Sequence, residues 1–130
     1  MNDLDDDRRH KRSDDPITAL HYQLAHARST AQLDAMVLVD GSGALVAGAG
    51  AWPVCEELAA YAPLLARRNG GESAFMSSHL DRLRESVSLR AMMFDGFEVV
   101  IAARGPVGAS TEASLVRAAA GCRRILGAEA

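Results

Sequence analysis

Ser77, Ser78, His79 and Asp81 stand almost side by side in "SSHLD", and they are the residue types of a nucleophile, a base and an orienting carboxylate. A triad needs those groups to meet in space, and adjacency in sequence is a poor guide because the fold assembles it. The same residues serve more simply as a turn and a helix cap. Cys55 follows Pro53 at a predicted helix start, where the helix dipole lowers a thiol's pKa. Glu56 and Glu57 oppose that shift, and a buried small hydrophobe is the simpler role. Arg67, Arg68, Arg82, Arg84 and Arg90 are cations of the kind an arginine finger uses in phosphoryl transfer. Solvated helix ends and an outward strand position are the simpler role for them. His21 and His26 are five apart, the wrong interval for two ligands on one helical face, and His10 and His79 have no companions at metal-ligand spacing. Cys55 and Cys122 belong to no Cys-x-x-Cys pattern, which fits core thiols in a reducing compartment. No catalytic residue, cofactor site or metal site is expected.

The glycines of "MVLVDGSGALVAGAG", residues 36–50, raise the remaining chemical question. A dinucleotide loop needs Gly-x-Gly-x-x-Gly ahead of a helix. After Gly41 and Gly43 the third place holds Val46, and after Gly48 and Gly50 it holds Pro53. No Gly-Lys-Ser/Thr ending is present for a phosphate loop. A hairpin fits instead: Ala35 to Asp40 out, Gly41-Ser42-Gly43 turning, and Ala44 to Ala49 back.

The elements around it follow from period and punctuation. Asp15 and Pro16 are an N-cap and first residue for a helix whose Ile17, Leu20, Leu24, Ala27 and Ala31 form one apolar stripe. A second helix opens at Trp52-Pro53, carries Val54, Leu58, Tyr61, Ala62 and Leu65 on one side, and stops at Asn69-Gly70-Gly71. Pro63 inside it predicts a kink or a fresh last turn. Residues 70–86 are ambiguous: "SAFMSS" suits a short strand and "HLDRLRES" a single helical turn. Val87, Leu89, Ala91 and Met93 then alternate with Ser88, Arg90, Met92 and Phe94, a strand period. Asp95-Gly96 is the strongest two-residue hairpin signal, and Phe97, Val99, Ile101 and Ala103 continue the return strand. Ser110 caps a last helix with Leu115, Ala118, Ala119, Cys122 and Ile125 inward and Arg117, Arg123 and Arg124 outward; Gly127 closes it.

Composition bounds the function. The chain of 130 residues is one domain's length, with 24% charged residues and a net charge of -3. That balance gives no electrostatic reason for nucleic acid or an anionic membrane. The apolar run Ala44 to Cys55 is broken by glycines and Pro53, so no span of a bilayer is expected, and without an export signal the expected place is the cytoplasm. Residues 1–15 hold six acids and four Lys/Arg with only Met1 and Leu4 apolar, so they are expected to be a disordered charged tail, either a solvated leader or a docking arm. The domain is expected over residues 16–127.

Helix, hairpin, helix, a connector with an optional strand, hairpin and helix make an α+β fold: a single antiparallel sheet of about five strands flanked by three helices. "LDAMVLVDGSGALVAGAG" followed by "CEELAAYAPLLA" resembles the start of a Roadblock (dynein light-chain type) domain. There a helix precedes a strand ending in Asp-x-x-Gly, a strand of small residues and an Ala/Leu-rich helix. The "VLVD" opening and the terminal "LVRAAAGCRRIL" also resemble a GAF-like domain, in the wider profilin/Roadblock/GAF-like group. The Roadblock resemblance implies a non-enzymatic regulatory scaffold that pairs through its sheet and second helix and serves small GTPases or other signalling partners. On that reading a homodimer forms through Leu58, Tyr61, Leu65, Val87, Leu89 and Ala91, with Tyr61 near the dyad. The GAF-like resemblance implies a small-ligand sensor.

Overall fold

The computed structural model describes residues 15–67, 81–83 and 85–128. Helix α1 (Pro16–Ala31) leads into strands β1 (Ala35–Asp40) and β2 (Leu45–Gly50), followed by helix α2 (Trp52–Arg67). Strands β3 (Val87–Phe94) and β4 (Phe97–Arg104) and helix α3 (Ala109–Ala128) complete the order, and residues 81–83 are also helical. The strands form one antiparallel sheet in the order β2-β1-β4-β3. The described residues thus hold four strands where about five were expected. "SAFMSS", the candidate for the fifth, lies outside them, as do residues 1–14.

Strand chemistry follows that order. β1 and β4 are central and covered on both faces, which is why "AMVLV" and "VVIAA" are unbroken apolar runs. Met36, Leu38, Ile101 and Ala103 face one side, where Leu20, Leu24 and Ala27 of α1 and Leu115, Ala118 and Cys122 of α3 close over them. Ala35, Val37, Val39, Val100 and Ala102 face the other side, where α2 packs with Cys55, Leu58, Ala59, Ala62 and Leu65, and Leu83 adds to the cluster. Each large aliphatic side chain buried this way stabilises the fold by about 2 kcal/mol relative to its exposed state.

Local devices fix the ends. Asp15 caps α1: its carboxylate accepts from the Thr18 amide at 3.3 Å and from the Thr18 hydroxyl. Ile17, expected on the buried stripe, is 45% exposed, because burial of α1 begins only at Leu20. β2 starts at Leu45, one residue later than the alternation suggested, since the register shifts between Leu38 and Val39 and takes up a residue. Asp95 (φ 52) and Gly96 (φ 83) hold the two positive φ values of a tight hairpin turn. α2 runs unbroken through buried Pro63, so no fresh last turn is made. α3 begins at Ala109 instead of after Ser110: the Gly108 carbonyl already accepts from Glu112 N at 3.0 Å.

Candidate interaction surface

Of the groups that looked chemical in the sequence, His21, Cys55 and Cys122 are held by the fold. Asp40, at the end of β1, accepts from Ser42 N (2.9 Å), Ser42 Oγ (2.6 Å) and Ala44 N (3.0 Å), a side-chain-closed turn. The Ser42 hydroxyl, followed by the backbone amides, holds its carboxyl below the usual range. His21 Nδ1 lies 2.8 Å from the Gly48 carbonyl and 3.2 Å from the Gly48 amide, so α1 caps the outer edge of β2 at that residue. Cys55 and Cys122 are free and buried, and burial pushes both thiols up, that of Cys122 to about 11. Neither is the activated thiolate that nucleophilic chemistry needs. Among the described residues no three His, Cys, Asp or Glu side chains gather as a metal site. Ser77, Ser78, His79, Arg68 and Arg84 lie outside the described residues, and so does the side chain of Arg67. Asp81, Arg82 and Arg90 are exposed.

What the fold leaves unsatisfied is apolar surface. Strands lie about 4.8 Å apart, so four of them present a face about 19 Å wide. A helix with its side chains is about 10 Å across. Two helices therefore cover the α1–α3 face, and among the described residues α2, with Leu83 beside it, covers about half of the other. α2 packs on β2, β1 and β4 and reaches β3 only at its start. Along β3, Val87 is buried, Leu89 is half-buried, Ala91 is exposed and Met93 is 55% exposed, and all four project on the α2 side. Leu64 of α2 is also exposed, at 44%. Among the described residues β3 has a neighbouring strand on one side only.

The six residues expected at an interface divide accordingly. Leu58, Leu65 and Val87 are spent on the protomer's own core, at 4%, 2% and 8% exposure. They have no surface to spare for a second chain, because their side of α2 is the side that packs on the sheet. Tyr61 and Leu89 are half-buried at the margin and Ala91 is open. Met93 and Leu64 were not singled out from the sequence. Their exposure depends on strand order, which no local pattern carries.

The same margin bears on ligand binding. The recess between α2 and the β3–β4 end, lined by Glu57, Leu58, Tyr61, Leu65, Leu83, Val87 and Arg104, holds about 10 Å³. That admits a water and falls far short of the few hundred Å³ a metabolite requires. Glu57 and Arg104 meet across it at 3.5 Å, a solvated pair worth little to stability.

No helix among the described residues is long and apolar enough to cross a membrane. No family profile and no curated protein matches the chain. Solved structures do. One of MglB from Myxococcus xanthus superposes with a TM-score of 0.57 at 16% identity, over 88% of this chain and 92% of that one. One of MglB with tetrameric arrangement gives 0.56 at 18% identity, over 88% and 93%. At such identities the likeness is one of fold, and the fold is the Roadblock-like α+β architecture that the first hairpin and second helix resemble.

Proposed function

We propose that residues 16–127 form a non-catalytic regulatory domain of the Roadblock type, which pairs with a second copy and serves as a platform for a small GTPase in the cytoplasm. The observation that carries this reading is the half-covered face of the sheet. Leu89, Ala91 and Met93 run out past α2, the one long helix on their side among the described residues, and a monomer gains nothing by leaving such a strip to water. A second copy related by a two-fold axis covers it with its own strip, because an isologous contact needs only a self-complementary patch. Tyr61 and Leu64, on α2 beside it, extend the contact area. The partner class rests on the Roadblock resemblance, and the likeness of fold to MglB supports it.

The partner is tested by immobilising the full chain and challenging it with lysate from its own source, preloaded with either a non-hydrolysable GTP analogue or GDP. A small GTPase retained in one nucleotide state and not the other is the expected result. Equal retention in both states, or none in either, would remove the GTPase from the proposal.

A further inference from the structure

A second surface lies on the opposite face, between β3 and α3. It is an open groove of about 450 Å³ with Met92, Met93, Val116 and Ala120 along it and Arg90 and Arg123 at its rim. Arg123 reaches from α3 to the Met93 carbonyl at 3.0 Å, which fixes one guanidinium over the groove mouth. Arg90 stands exposed on β3. Neither arginine makes an ion pair with a carboxylate among the described residues, where Glu57–Arg104 is the pair that forms. Arg117 and Arg124, exposed on the same helix, add to the positive field. Two unpaired guanidinium groups above an apolar floor select an acidic segment with apolar anchors.

The chain contains such a segment. Residues 1–7, "MNDLDDD", place Met1 and Leu4 among four aspartates. We propose that this acidic segment docks in the β3–α3 groove of its own chain, its aspartates on Arg90 and Arg123 and its Met1 and Leu4 against Met92 and Val116.

The reach is sufficient. α1 and α3 run antiparallel, since Ser114 Oγ bonds the Ala27 carbonyl while Gly121 faces the Gln23 side chain. Asp15 therefore sits toward the C-terminal end of α3, and Arg123 lies only about 8 Å of helix rise before that end. The eight residues from 7 to 15 span up to about 26 Å when extended. The basic run at 8–12 belongs to this connecting stretch. Ala91 and Met93 of edge strand β3 line the groove as well as the half-covered α2 side, so the two surfaces adjoin along β3.

The test uses the full chain with a nitroxide on Asn2→Cys, to which Cys55 and Cys122 are no competitors because both are buried. Amide signals of Met92, Met93, Val116 and Ala120 should broaden at least twofold more than those of β2 on the far edge. Raising salt from about 0.05 M to about 0.5 M, which shortens the screening length to a few ångströms, should abolish the difference. So should Arg90→Glu with Arg123→Glu. Changing Asp3, Asp5, Asp6 and Asp7 to Asn should do the same while leaving the folded domain untouched. Uniform broadening, or selective broadening that survives the aspartate changes, overturns the proposal. Broadening seen only between differently labelled molecules in a mixed sample also overturns it, because the occupant would then be a second copy.

Discussion

Replacing Gly50 by alanine tests the geometry that turns β2 into α2. Gly50 has φ +119, a region that side-chain-bearing residues avoid, and a Cβ there would lie 2.5 Å from the Asp34 carbonyl oxygen and 3.0 Å from Ala35 Cα. Both atoms are backbone, so neither can rotate aside. Conformational strain contributes about 1–3 kcal/mol, and moving the β1 backbone by several tenths of an ångström adds about 1–3 kcal/mol of the kind overpacking causes. A total near 4 kcal/mol is a large part of the 5–15 kcal/mol typical of a domain. Gly96→Ala is the control: its φ is +83, but nothing lies within 4 Å of the added methyl, so strain of about 1 kcal/mol acts alone. Urea unfolding followed by circular dichroism reads both. With a slope of about 1.5 kcal/mol per M, the midpoints should fall by about 2.7 M and about 0.7 M. Equal shifts for the two variants would refute the close approach of Gly50 to β1.

Two buried serines should respond in opposite directions. Ser114→Ala deletes a fully buried bond to the Ala27 carbonyl and should cost about 1 kcal/mol, whereas Ser88→Ala removes a buried hydroxyl with no partner among the described residues and should be neutral or stabilise by up to about 1 kcal/mol in the same urea assay. Asp15 and Asp40 are both held below the ordinary 3.8, chiefly by the Thr18 and Ser42 side chains. A depressed carboxyl stabilises the fold above its unfolded pKa and loses that contribution as pH falls through its folded pKa. Wild-type Tm should therefore drop on acidification below about pH 4, and the Asp40→Asn variant should show a shallower drop. Cys122, fully buried with its thiol pushed up to about 11, should react with iodoacetamide at neutral pH only after unfolding, as mass spectrometry of native and urea-treated protein will show.

The parts of the fold that were legible are those in which local and global preference coincide. The apolar runs of β1 and β4 reflect two-sided burial, Asp95-Gly96 reflects positive φ, and Asp15-Pro16 reflects a cap, so each carries its own signal. Misplaced details trace to non-local causes. The bulge at Leu38/Val39 moves β2 by one residue, and only pairing creates it. The Gly108 carbonyl starts α3 ahead of the expected serine cap. At the candidate surface the stripe of α2 was correctly apolar, but a stripe does not say what it faces, and Leu58 and Leu65 face their own sheet. Met93 and Leu64 became candidates once the strand order β2-β1-β4-β3 and the partial cover by α2 on that face were known. His21 on Gly48 and Arg123 on Met93, which cap the two sheet edges, join residues about thirty apart and leave no mark on sequence period.

Two copies are proposed to meet at the half-covered face of the sheet. Sedimentation equilibrium of the full chain from about 1 to about 100 μM measures this directly, alongside Ala91→Glu, which places a charge on an exposed position of that strip. Burying an unpaired carboxylate at an interface costs several kcal/mol, enough to weaken association by a hundredfold or more, while the folded protomer tolerates the change. The account predicts a dimer for the wild type at micromolar concentration and a monomer with unchanged circular dichroism for Ala91→Glu. A wild type that stays monomeric across the range, or an Ala91→Glu dimer as tight as the wild type, would contradict it.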